Sequence, residues 1–268
     1  MKKAFIFIII AGMALTGCHR KREFKPKNTK PVTTVKQGKT EPKTTKNAPE
    51  QPVRKPEAKR QTYPKDPVRL YSLSEMNLDA NAQRIMQFLG SAAMGRTALR
   101  AIKAMGKDGN RLLVRALRWS NPNGRMQAAI IAAKLKVKDK QVIGLMIENL
   151  LRDPDPDCRS RTATAFVDLK EKAAGPALLQ MVKQDPHPMA RANAIWALGA
   201  MHYRPAIPEL IKNLSAKDTW VRLRTASALK KMHPRQAVTA IKEQLKKEKN
   251  PLVKKRLLQT LRACKGHR

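Results

Sequence analysis

Cations outnumber every other reactive group in this chain. Fifty-six lysines and arginines face twenty aspartates and glutamates, for a net charge of +36, and there are five histidines and three cysteines. Gly-x-Ser-x-Gly, His-Glu-x-x-His and the Gly-x-x-x-x-Gly-Lys-Ser/Thr phosphate loop are all missing from the sequence. Neither a serine nucleophile, a helical zinc site nor a nucleotide cradle is therefore expected. Asp153, Asp155 and Asp157 share one proline-broken loop. They are hard oxygen donors, but they lack the glycine and distal glutamate of a calcium loop. Asp157 is instead expected to cap the helix that follows. His202 and His233 recur at one register. A zinc ligand sits about 2 Å from the metal, whereas packed helices stand about 8–10 Å apart. The pair is read as helix-C-terminal histidines favoured by the helix dipole, and no metal or cofactor is expected. The cations are the main chemical signal, because a large excess of one sign attracts partners of the other.

The spacing of those cations reveals what must position them. Arg125, Arg159, Arg191, Arg222 and Lys254 are separated by 34, 32, 31 and 32 residues. Apolar or small residues follow at fixed offsets of seven and ten: Ala132 and Leu135, Phe166 and Leu169, Leu198 and Met201, Leu229 and Met232, Leu261 and Cys264. Each such helix is preceded by another. Ala174, Pro176, Leu178 and Val182 match Ala206, Pro208, Leu210 and Leu214, and Ala237, Ile241 and Leu245 fall in the same slots. Proline in a first helical turn forfeits no hydrogen bond. The unit is helix A, a short loop, helix B and a tight turn. A period near 30 residues marks a stacked array, in which each unit buries its apolar face only against its neighbours. Cys158 and Cys264 occupy apolar core slots of this pattern, as small buried thiols do. Trp119, Trp196 and Trp220 are read as packing residues, with Trp220 partly exposed beside its loop.

This pattern resembles HEAT repeats, in particular the short bacterial kind called phycocyanobilin-lyase-like HEAT repeats. Asp153 and Arg159 stand six apart, as do Asp185 and Arg191. They resemble the family's loop aspartate and helix B arginine, which link neighbouring repeats. The resemblance implies an all-α, right-handed solenoid of about six HEAT-like helix pairs. It implies a structural ladder of Asp153, Arg159, Asp185, Arg191 and Arg222, with Arg159 and Arg191 paired to loop aspartates. Other units depart from the pattern. Asn121 and Asn250 stand four before their basic residue, Ala216 holds the slot six before Arg222, and the first unit, around Gly95, lacks the arginine and is read as a cap. Di-iron enzymes built on HEAT repeats use His-Glu dipeptides, which are missing here. Alkylpurine DNA glycosylases share HEAT-like architecture.

Ahead of the array, residues 1–18 read as a signal peptide. Lys2 and Lys3 precede an apolar run from Ala4 to Leu15, too short to span a bilayer comfortably. The run ends Leu15-Thr16-Gly17-Cys18, which resembles the lipobox of bacterial lipoproteins. The resemblance implies that Cys18 becomes the acylated first residue of the mature chain, and two or more acyl chains anchor stably. Residues 19–69 carry eight prolines and a net +11, a composition that cannot bury enough apolar surface to fold. They read as a disordered tether with a coil span of about 40 Å. Residues 70–268 form the repeat array. The lipobox implies a cell-envelope location, and His19, rather than aspartate, after the cysteine leans towards the outer membrane.

Residues 70–268 retain +23. Two residues beyond each repeat cation, Arg161, Arg224 and Arg256 are expected to face away from the core, as are Lys134, Lys230, Lys231 and Arg262 eight or nine beyond it. With Arg111, Arg115 and Arg118 on an early helix A, they are candidates for a cationic ridge meeting an anionic partner. Removing an outward residue such as Arg224 is expected to change stability by no more than about 0.5 kcal/mol. The lipobox and the scarcity of aromatic platforms argue against nucleic acid. The resulting reading is a membrane-anchored, non-enzymatic scaffold for a protein partner in the envelope. The alternative is a binder of anionic polymer, envelope glycopolymer or nucleic acid, or of lipid headgroups, through the ridge. If Cys18 is the anchor, Cys18→Ser abolishes lipid labelling and lipoprotein-type cleavage. Mass spectrometry of the mature N-terminus checks this, and an intact Met1 or an unacylated Cys18 refutes it.

Overall fold

The computed structural model describes residues 67–266; Cys18 and residues 19–66 of the tether lie outside the described residues. Within that range the chain forms α1 (Ala80–Gly90), α2 (Gly95–Ala104), α3 (Lys107–Ala116), α4 (Pro122–Lys134), α5 (Lys140–Arg152), α6 (Pro156–Leu169), α7 (Gly175–Gln184), α8 (Pro188–Ala200), α9 (Ile207–Asn213), α10 (Thr219–Met232), α11 (Val238–Lys247) and α12 (Pro251–Lys265). No strand forms among the described residues beyond an isolated bridge between Tyr71 and Trp119.

Local chemistry sets these boundaries. The side chains of Asn121, Asp155, Asp218 and Asn250 accept backbone N–H bonds in the first turns of α4, α6, α10 and α12. The residue four before each repeat cation is thus a helix cap, and the asparagines there are conventional N-cap residues. Asp155, not Asp157, caps α6, because its carboxylate accepts from the amides of Asp157 and Cys158. Proline follows the cap in α4, α6, α8 and α12. At the other end, Lys136, Lys170, His202 and His233 adopt left-handed backbone with φ of 54°, 53°, 52° and 50°. The two histidines therefore do more than meet a dipole. They occupy the turn where the chain leaves helix B, a conformation that costs a side-chain-bearing residue roughly 1–2 kcal/mol relative to right-handed backbone.

The helices lie in two rows. The B helices pack in succession, α4 on α6, α6 on α8, α8 on α10 and α10 on α12, while α3, α5, α7 and α9 form the neighbouring A row. The first pair differs from the repeats that follow. Its leading helix α1 packs on α4, in the B row, and α2 packs on α3, in the A row. The pair expected to be an ordinary cap thus runs in reverse order. The packed chain also begins within the stretch assigned to the tether. Val68 is buried and donates its N–H to the carbonyl of Arg152, while Tyr71 and Ser120 exchange backbone bonds with the end of α3 and with each other.

A stripe of small residues runs between the B helices. Ala128, Ala132, Ala163, Ala192, Ala194, Ala226 and Ala228 are buried, which lets the helix backbones approach closely. At Gly199 the approach is tight: a Cβ there would stand 2.7 Å from Cβ of Ala228. Leu198 beside it is fully buried. Leu198→Ala leaves a cavity in this close-packed row and is expected to cost about 2–5 kcal/mol, measured as a lower denaturant midpoint.

Candidate functional site

The repeat arginines form a register-locking ladder. Arg125 forks onto Asp153, with Nε to Oδ2 and Nη2 to Oδ1 both at 2.8 Å. Arg159 forks onto Asp185 at 2.9 and 3.0 Å, and Arg222 onto Glu248 at 2.7 and 2.9 Å. The remaining nitrogen, Nη1, turns back to the carbonyls six and five residues before each arginine: Trp119 and Ser120, Asp153 and Pro154, Ala216 and Lys217. Each guanidinium therefore closes its own loop with one nitrogen and grips the next repeat with two, a fork suited to a planar carboxylate. Asp153 and Arg159, six apart in sequence, meet through the aspartate's carbonyl; the Asp153 carboxylate belongs to Arg125 of the preceding repeat. Glu248, six before Lys254, was overlooked as a ladder acid although it fills the diagnostic slot.

Arg191 corrects the expected ladder. It donates Nη1 to the carbonyls of Asp185 and Pro186, but no ion pair of the described residues includes it. The slot that would supply its carboxylate holds Ala216. The ladder is thus interrupted between α8 and α10.

The ridge residues divide. Arg161, Lys134, Lys231 and Arg262 are exposed. Lys230 is half-buried and donates to Gln259. Arg224, expected to be free on the outer face, is half-buried, and its guanidinium lies 4.1 Å from the ring centre of Trp196. That stack contributes about 0.5–2 kcal/mol, so Arg224 belongs partly to the packing. Burial, then the nearby charge of Arg256, holds the Arg224 pKa below its ordinary value. The row is not continuous: Asn193 takes the equivalent place in α8 and binds Ser160, and Asp168 is exposed where α10 has Lys231. Structure therefore concentrates Trp196, Arg224, Arg256, Lys230, Lys231 and Arg262 on the last three B helices, with Lys134 and Arg161 on earlier ones. Arg111, Arg115 and Arg118 are not part of this face. Arg111 pairs with Asp108, Arg115 donates to the carbonyls of Met76 and Asn77, and Arg118 pairs with Glu148 at 2.6 Å.

Other groups are already committed. Cys158 and Cys264 are buried and unpaired with each other; burial pushes the Cys158 thiol up, and Asp153 adds to this, the reverse of an activated thiolate. An open cavity of about 820 Å³ between α1 and α3 is lined by Asp79, Asp108, Arg111 and Arg115, whose polar atoms cap α1 or bind each other and the backbone. Among the described residues no three His, Cys, Asp or Glu side chains converge as a metal site. Of the aspartates of the Asp153 loop, Asp153 serves the ladder, Asp155 the cap, and Asp157 is exposed. Trp119 is buried, as expected of packing, but Trp220 is 52% exposed.

Residues 175–262 match the family model of HEAT repeats. No curated protein matches the chain. Among solved structures, the complex of CpcE and CpcF of phycocyanin lyase from a Nostoc species is similar at 20% identity with a TM-score of 0.52, over 57% of this chain and 64% of that one. An engineered protein (19% identity, TM-score 0.45, 69% of this chain, 88% of that one) and a designed armadillo repeat protein (16%, 0.45, 68% and 98%) are also similar. The fold is an all-α solenoid of the HEAT kind.

The ladder gives stability a pH signature. Hydrogen bonding from Arg222 holds the Glu248 carboxyl at about 2, below its ordinary 4.5. A carboxyl depressed on folding stabilises fully above its unfolded pKa and loses that contribution as it protonates in the folded state. The stability advantage of the native chain over Glu248→Gln is therefore expected to be constant above about pH 5 and to shrink between pH 4.5 and 2. Urea titrations across that range check it.

Proposed function

We propose that the chain is a membrane-anchored, non-enzymatic scaffold that binds a protein partner in the bacterial cell envelope. The observation that carries this reading is the Trp196, Arg224 and Arg256 cluster. Arg224 is stacked and half-desolvated, yet no ion pair of the described residues includes Arg224 or Arg256. A carboxylate brought by a partner would meet two neighbouring guanidiniums, of which Arg224 is already held on an aromatic platform. Tryptophan and arginine are the residues that dominate binding energy at protein interfaces. The similar CpcE and CpcF structure is itself a complex of two proteins, which supports a partner of that class. The lipobox resemblance at Cys18 supports the anchor.

An anionic polymer bound along a continuous ridge is the competing reading. The breaks at Asn193 and Asp168 favour a discrete acidic patch over a long uniform strand. The test is crosslinking in cells from a photoreactive residue at position 231. The expected result is a discrete protein adduct that Arg256→Glu strongly reduces. That substitution leaves Arg224 a carboxylate to pair with, so the fold is retained. A polydisperse adduct, or a protein adduct indifferent to Arg256→Glu, refutes the reading.

A further inference from the structure

Four large apolar side chains are exposed among the described residues: Met189, Trp220, Leu252 and Leu258, at 40%, 52%, 66% and 46%. Three of them share one register. Met189, Trp220 and Leu252 each lie two residues before the repeat cation, in the first turns of α8, α10 and α12. The earlier repeats carry Asn123 and Asp157 there. The ladder contact from Arg222, near the start of α10, to Glu248, just before α12, sets those two helix starts side by side. Arg224 of α10 likewise lies over Trp196 of α8. The three apolar tips thus follow one edge of the stack, about one helix spacing of 8–10 Å apart. On α10 and α12 this edge adjoins the Arg224 and Arg256 face, because Trp220 and Leu252 each stand four residues, about one helical turn, before those arginines.

The charges on the edge have one dominant sign. Asp185 and Glu248 are buried and turned inward to Arg159 and Arg222. Asp218 caps α10. Lys217, Lys247 and Lys249 are exposed, and Arg191 has no carboxylate partner because Ala216 stands in its slot. At the loops before α10 and α12, a cavity of about 330 Å³ is lined by Ser215, Arg222, Lys247 and Lys249, with Glu248 engaged by Arg222. Apolar tips that project between lysines do not form a groove for a peptide.

We propose that this edge lies on an anionic phospholipid bilayer, with Met189, Trp220 and Leu252 entering the headgroup boundary and Lys217, Lys247 and Lys249 meeting the phosphates. A bilayer accepts convex apolar points without shape complementarity. Tryptophan is enriched at that interface because one end of its ring is apolar and the other polar. Lysine stems can lie along the apolar layer while their ammonium groups reach the headgroups, and each cation near an anionic surface strengthens attachment.

The test follows Trp220 itself in the full chain, so attachment through other segments does not decide it. Vesicles of phosphatidylcholine and phosphatidylglycerol carry bromine in their acyl chains, and tryptophan emission is compared between the native chain and Trp220→Phe. The expected result is a blue shift and quenching in the native chain that Trp220→Phe loses. Leu252→Asp, and Lys217→Glu combined with Lys249→Glu, are expected to remove most of that Trp220-specific quenching while circular dichroism stays helical. Equal quenching in the native chain and Trp220→Phe overturns the proposal and leaves the edge to a protein partner. Trp220 quenching that survives both the apolar and the charge substitutions overturns it too.

Discussion

A guanidinium taken out of water must be given partners, and the array is built around that requirement. Arg125, Arg159 and Asp185 are almost wholly buried, so a repeat that slipped against its neighbour would leave charge uncompensated. Breaking one such buried pair costs about 3–5 kcal/mol. The fork therefore fixes register more than it adds net stability, since the same volume filled with apolar side chains could serve stability alone. Each arginine also closes the loop in front of its own helix, which ties loop shape and repeat stacking to one side chain.

Where the ladder lacks its acid, packing takes over. Between α8 and α10 the acid slot holds Ala216, and there Gly199 meets Ala228 at a distance that excludes any larger residue. Trp196 receives Arg224 across the same helix pair. One junction thus combines a tight backbone approach, an arginine without a carboxylate among the described residues and the stack of Arg224 on Trp196. Function at this junction is compatible with order, because the small-residue contact holds the helices without the ion pair.

The ends of the array show the same logic in reverse. Leu258 occupies the slot that holds buried Ala129, Ala163, Ile195 and Ala226 in earlier repeats, and it is exposed in α12, against which no further described repeat packs. Lys254 stands where an arginine would grip the next loop, and its flexible ammonium remains exposed. At the beginning, α1 supplies a B-row surface for α4 without a ladder arginine, which the reversed first pair makes workable.

The residues themselves determined the repeat period, the two-helix unit and the buried slot of Leu198, and the caps are equally local although the expected Asp157 gives way to Asp155. These are local or periodic properties: a cap is read within four residues and a core face within one helix. Glu248 is equally legible as an acid six before Lys254, in the slot that Asp153 and Asp185 fill before Arg159 and Arg191. Tertiary structure alone decided which carboxylate each arginine takes, because the partners stand 26 to 28 residues apart and meet only after the repeats stack. It decided that Arg224 is half-buried, since the covering ring of Trp196 comes from the preceding repeat. It also decided that Arg115 and Arg118 are occupied by a segment and a helix distant in sequence, and that Met189 and Leu252 stay in solvent beside Trp220, whose partial exposure the sequence already suggested. Exposure is a property of what packs alongside, and in a stacked array that is always another repeat.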